Sequence, residues 1–76
     1  MKSRQNNGYT ITDTISVCDF LFVLGENPQA NHYYVTWESR TDSGALYGGQ
    51  YYHDRLTALQ SMCNRAISKI NTIQQE

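Results

Sequence analysis

Only six basic and seven acidic residues, one proline and two cysteines occur in 76 residues, and no apolar run is long. The scarcity of charge, with a net of -1, excludes a supercharged disordered tail and a strongly basic nucleic-acid binder. The longest apolar runs fall far short of the roughly 18 residues of a membrane span, and the opening seven residues, Met1 to Asn7, lack the apolar stretch of a signal peptide. No membrane association and a cytoplasmic location are therefore expected. Cys18 and Cys63 lack CxxC spacing and form no zinc pattern with the two histidines, so no metal or other cofactor is expected. They are expected to be buried free thiols, with a disulfide between them as the alternative.

What is present suits one small domain. Residues 1–8 form a polar arm with nothing to bury, and residues 9–76 form a single α+β unit. From Tyr9 the pattern alternates: Tyr9, Ile11, Ile15 and Val17 share one parity and Thr10, Thr12, Thr14 and Ser16 the other, as in a half-buried strand. The period then breaks, because Phe20 to Leu24 is apolar on both parities, and the turn-rich stretch from Gly25 to Asn31 ends the strand.

Tyr33 to Arg40 reads as a second strand, with Tyr33, Val35 and Trp37 on the inner face. The polar stretch Thr41 to Gly44 suits a hairpin into a third strand over Ala45 to Tyr52, in which Gly48-Gly49 marks a bulge or a close backbone approach. Asp54 is a good N-cap for a helix opening at Arg55, and Leu56, Leu59, Cys63, Ala66, Ile70 and Ile73 recur at spacings of three and four, with Met62 and Ile67 widening the stripe. Ile67 and Ile70 are expected to be buried. The expected architecture is a three-stranded antiparallel sheet with one C-terminal amphipathic helix on one face, in the order βββα.

One helix covers only one face of such a sheet. If Cys18, Phe20, Phe22 and Leu24 face the helix, then Val17, Asp19, Leu21 and Val23 point away from it, joined by Tyr34 or Tyr52. An exposed apolar patch of this kind marks an interaction surface unless the arm or a Tyr-rich loop folds over it. Charge is uneven too. Residues 13–54 carry six acids against Arg40 alone, so Glu38 and Asp42 make the sheet side acidic and suited to steering toward a basic protein surface. Leu21, Val23, Tyr34, Glu38, Asp42 and Tyr52 are thus the candidate partner-binding residues. Tyr51 takes the place of Tyr52 if the Gly48-Gly49 bulge shifts the register. Self-association through Leu21 and Val23 is a further expectation.

Catalytic candidates are few. His53-Asp54 and Cys63 with a histidine each lack a third group to orient them, and Gly48-Gly49 lacks the lysine and helix of a phosphate-binding loop, so no enzyme is expected.

Two resemblances bear on function. Tyr34-Val35-Thr36-Trp37, then Leu46 to Tyr52, then a helix beginning near Leu56 with Ala58, resembles the layout of sheet-plus-helix modules of the AP2 and integrase-arm type. That resemblance implies a duplex-binding face at Trp37 and Arg40. The basic strand residues of that family are replaced here by Glu38 and Asp42, whereas affinity for duplex depends on phosphate neutralisation. The run Phe22-Val23-Leu24-Gly25-Glu26-Asn27-Pro28, followed by Tyr34 to Trp37 and a Gly-rich aromatic strand, is similar to small bacterial and phage accessory proteins, whose size and mobile-element setting are those of anti-CRISPR proteins. This second resemblance implies a stoichiometric inhibitor that blocks a host defence protein such as a CRISPR effector. The leading expectation is such a protein-binding module. The alternative is a small nucleic-acid-binding regulator using sheet aromatics with Arg40, Lys2 and Arg4.

Overall fold

The computed structural model describes residues 5–40 and 44–75. It is an α+β fold in which strands β1 (Gln5–Asn6), β2 (Tyr9–Val17), β3 (Phe20–Glu26), β4 (Tyr34–Arg40) and β5 (Tyr47–Tyr52) precede helix α1 (Arg55–Gln74). The sheet has five strands where three are expected, all antiparallel and in the order β1-β2-β3-β4-β5. Among the described residues no helix is long and apolar enough to cross a membrane.

The two additional strands come from two tight turns. Asn7 (φ 51°) and Gly8 (φ 83°) reverse the chain so that Gln5 and Asn6, inside the expected arm, pair with Thr10 and Tyr9. This is the Asn-Gly turn that right-handed strand twist favours. Residues 1–4 lie outside the described residues. The second turn divides the expected first strand: Cys18 adopts φ 51°, and Val17 pairs with Phe20, Ile15 with Phe22 and Asp13 with Leu24. The change of parity between Val17 and Phe20 is the mark of this hairpin, because directly opposed residues share a face.

Two bulges set which side chains meet the helix. In β2 the register slips between Ile11 and Asp13, leaving Thr12 without a partner. One extra residue turns the following side chains to the opposite face. Tyr9 and Ile11 therefore pack on the face away from α1, while Ile15 and Val17 pack beneath it, although all four share one parity. In β5, Gly48 and Gly49 lie between the pairs Thr36–Gln50 and Glu38–Tyr47, so the expected bulge is present, with Gly48 at φ 67°.

The core consequently has two halves. Under the helix, Phe22 and Leu24 meet Ala58, Met62 and Ala66, flanked by Ile15, Val17, Phe20, Tyr34, Tyr52 and Leu59. Full burial of a side chain such as Phe22 or Leu24 contributes about 1.5–3 kcal/mol. On the far face Tyr9, Val23, Val35 and Trp37 form a second cluster, with Ile11, Leu21, Ala30 and Leu46 against it. Val35 and Trp37 are core residues as expected, but of this second half and not of the helix side.

Asp54 caps α1, its carboxylate accepting from the Thr57 amide at 2.9 Å and the Thr57 hydroxyl at 3.0 Å. These bonds hold the Asp54 carboxyl below its ordinary value. The helix is rotated from the expected phase. Small Ala58 and Ala66 beside Met62 let it approach the sheet closely, and this leaves Leu56, Ile67 and Ile70 exposed. Cys18 and Cys63 are free thiols and both are exposed rather than buried, one at a turn and the other on the outer side of α1.

Candidate functional site

The face away from α1 is partly roofed by the loop between β3 and β4. Asn27 organises that loop: its amide donates to the Tyr33 carbonyl (2.8 Å), its carbonyl accepts from the Ala30 amide (3.1 Å), and its side-chain oxygen accepts from the Gln29 amide (2.9 Å). The Tyr9 hydroxyl, rising from β2, donates to the His32 carbonyl at 2.7 Å and pins the loop to the sheet. Burial pushes the Tyr9 phenol above its ordinary value, and Tyr51 adds to the rise.

Beside this loop five rings stand in succession. Trp37 meets Tyr9 edge to face at 5.7 Å between centroids, and Tyr9 meets Tyr51 at 6.1 Å. Tyr51 meets His32 at 6.2 Å, and His32 stacks on His53 at 4.3 Å with 26° between planes. Trp37 and Tyr9 are buried, whereas Tyr51 is 48% exposed and both histidines are exposed. The arrangement presents an aromatic surface braced from below, the anchoring chemistry that protein interfaces concentrate at their centres. Sequence reasoning did not single out His32 and His53 as neighbours. The signal was the β4–β5 register, which pairs Tyr34 with Tyr52 and so brings the residues just outside both strand ends together.

The expected partner-binding residues do not form one surface. Leu21 and Val23 lie on the far face as expected, but Val23 is fully buried there and Leu21 half-buried. Tyr34 and Tyr52 were expected on that face and instead pack against the helix-side core. Strand parity explains this, since Tyr34 and Tyr52 face each other across β4 and β5 on the side shared by Phe22 and Leu24. It is Tyr51 that reaches the far face. Asp42 lies outside the described residues.

Glu38 is also on the helix side, in an open groove of about 450 Å³ lined by residues of β4, β5 and α1. Its carboxylate lies 3.3 Å from Arg65 and 3.7 Å from Lys69, and it accepts from the Tyr47 hydroxyl at 3.3 Å. Desolvation, followed by the charge and hydrogen bond of Glu38, raises the Tyr47 phenol above its ordinary value. Arg65 also donates to the Thr36 carbonyl (3.1 Å) and hydroxyl (3.2 Å), and Lys69 Nζ stands 4.2 Å from the centroid of the Phe20 ring. Beyond this groove Arg55 pairs with Asp13 at 2.6 Å. The helix cations thus face sheet carboxylates.

The pair His53-Asp54 is divided between two tasks, since Asp54 caps the helix and His53 stacks on His32. Among the described residues no three His, Cys, Asp or Glu side chains are grouped to hold a metal ion. No protein family, curated protein or solved structure matches the chain.

Proposed function

We propose that the protein is a non-catalytic protein-binding module that acts by covering a surface of a partner protein, with Tyr51, His32 and His53 at the centre of the contact. The carrying observation is the graded aromatic cluster, in which buried Trp37 and Tyr9 support half-exposed Tyr51 beside the exposed histidine stack. Rigid aromatic groups on a sheet lose little conformational entropy on binding, and so give more net affinity per contact than mobile side chains. Three cations of α1, Arg55, Arg65 and Lys69, are engaged by Asp13 and Glu38, which favours a protein over a phosphate backbone as partner. The resemblance of the Phe22–Pro28 run to phage accessory proteins is what supports blockade of a host defence protein in the cytoplasm as the setting.

The test is affinity capture from a bacterial host lysate, with the intact chain and a Tyr51→Ala variant in parallel. A partner retained at high salt by the intact chain and lost by Tyr51→Ala is the expected result, since an aromatic-centred contact resists screening. Binding to random duplex DNA that falls steeply with salt and is indifferent to Tyr51 overturns the proposal.

A further inference from the structure

The outer side of α1 carries an apolar row that, among the described residues, nothing covers. Leu56 is 75% exposed, Ile67 54% and Ile70 39%, and the Cys63 thiol is exposed between them. At 3.6 residues per turn, positions 56, 63 and 70 line up along about 21 Å of helix, with Ile67 alongside. Residues 55–75 contain three charged side chains, Arg55, Arg65 and Lys69, and each is turned to a carboxylate of the sheet. A solvated helix face ordinarily carries charge. This one has none.

We infer that this row is a twofold interface with a second copy of the chain, two α1 helices packing antiparallel with Cys63 at their crossing. The spacing is symmetric about Cys63: Leu56 and Ile70 stand seven residues to either side, and Leu59 and Ile67 four. In an antiparallel pair centred there, Leu56 of one copy meets Ile70 of the other, and Ile67 meets the exposed edge of Leu59, a side chain half-buried against the helix-side core. Charge points to the same occupant. An uncharged row is complementary to itself and opposes no like charge in a second copy, whereas a basic or acidic partner would find no counter-charge along it. One row of side chains per copy is a small contact beside the roughly 1,200–2,000 Å² of a stable interface, so the association depends on concentration.

Light scattering over a concentration series, together with a short bis-maleimide cross-linker, tests this on the intact chain. The expected mass rises from 8.7 kDa toward twice that value, while Ile67→Asp and Ile70→Lys, both at exposed positions, keep the wild-type circular dichroism and remain at 8.7 kDa. Cross-linking of wild type should yield a dimer that Cys63→Ser abolishes and Cys18→Ser leaves intact. A monomer at every concentration overturns the inference and leaves the row to a different partner. A dimer that survives both helix substitutions, or one cross-linked through Cys18 instead of Cys63, overturns it as well.

Discussion

The Trp37 indole lies so close over the backbone of Gly49 that a β-carbon there would stand 2.8 Å from Nε1. The same ring closes on Gly25, where a β-carbon would lie 3.3 Å from Cζ3 and 3.1 Å from the Tyr9 β-carbon. Two glycines on flanking strands thus make the space that the largest side chain of the far face fills. Gly49→Ala should displace the indole and destabilise the fold by about 1–3 kcal/mol, as overpacking does. Urea unfolding followed by tryptophan fluorescence measures it, and an unchanged midpoint would show that the ring does not pack there.

The β2–β3 turn holds Cys18 at φ 51°, where a β-carbon is crowded and glycine is not. Cys18→Gly should therefore stabilise by up to about 1 kcal/mol, since relief of strain outweighs the added freedom of the unfolded chain. A lower melting temperature for this variant would contradict the hairpin.

Helix phase separates two apolar residues five positions apart. Met62 is buried against Phe22 and Leu24, so Met62→Ala should cost about 2–5 kcal/mol. Ile67→Ala, at an exposed position, should shift stability by no more than about 0.5 kcal/mol in dilute solution. Equal losses in denaturant midpoint would return Ile67 to the core.

Alkaline pH acts on Tyr9. Its folded phenol is held above 10.0, so the folded state binds the proton more tightly than the unfolded chain does. That stability is fully present below the ordinary tyrosine value and is lost as pH rises through the raised one. Thermal melts from about pH 9 to 12 should show the wild type losing stability more steeply than Tyr9→Phe, which has no proton to lose. Parallel curves would mean that Tyr9 ionises freely.

Where a residue type had one physical use, the sequence was sufficient. Asp54 before a segment free of Gly and Pro located the helix start, and Gly48-Gly49 located the β5 bulge. Other features depend on backbone geometry that these side chains do not announce. Thr12 bulges β2 without a glycine, and Cys18 turns the chain without Gly, Asn or Pro, so two strands ran together and Val17, expected on the face away from the helix, packs beneath it. Apolar bulk misled in the helix, because Ile67 and Ile70 outweigh Ala58 and Ala66 in hydrophobicity, whereas close contact with the sheet requires the smaller pair. Tyr51 and Tyr52 exchange roles because Trp37, expected on the helix side, lies on the far face, and Tyr52, which strand parity sets opposite to it, changes face with it.

In this sheet every strand has its chain neighbour beside it, so pairing can advance hairpin by hairpin, and each step closes a short loop at small entropic cost. The return of α1 is different in kind. Arg55 reaches Asp13 across 42 residues of chain, a contact that has no foothold until β2 and β3 already stand together. Helix docking is then the closing event of folding, and we expect Asp13→Asn to accelerate unfolding while leaving the refolding rate nearly unchanged. Stopped-flow chevrons would refute this order if the substitution slowed refolding instead.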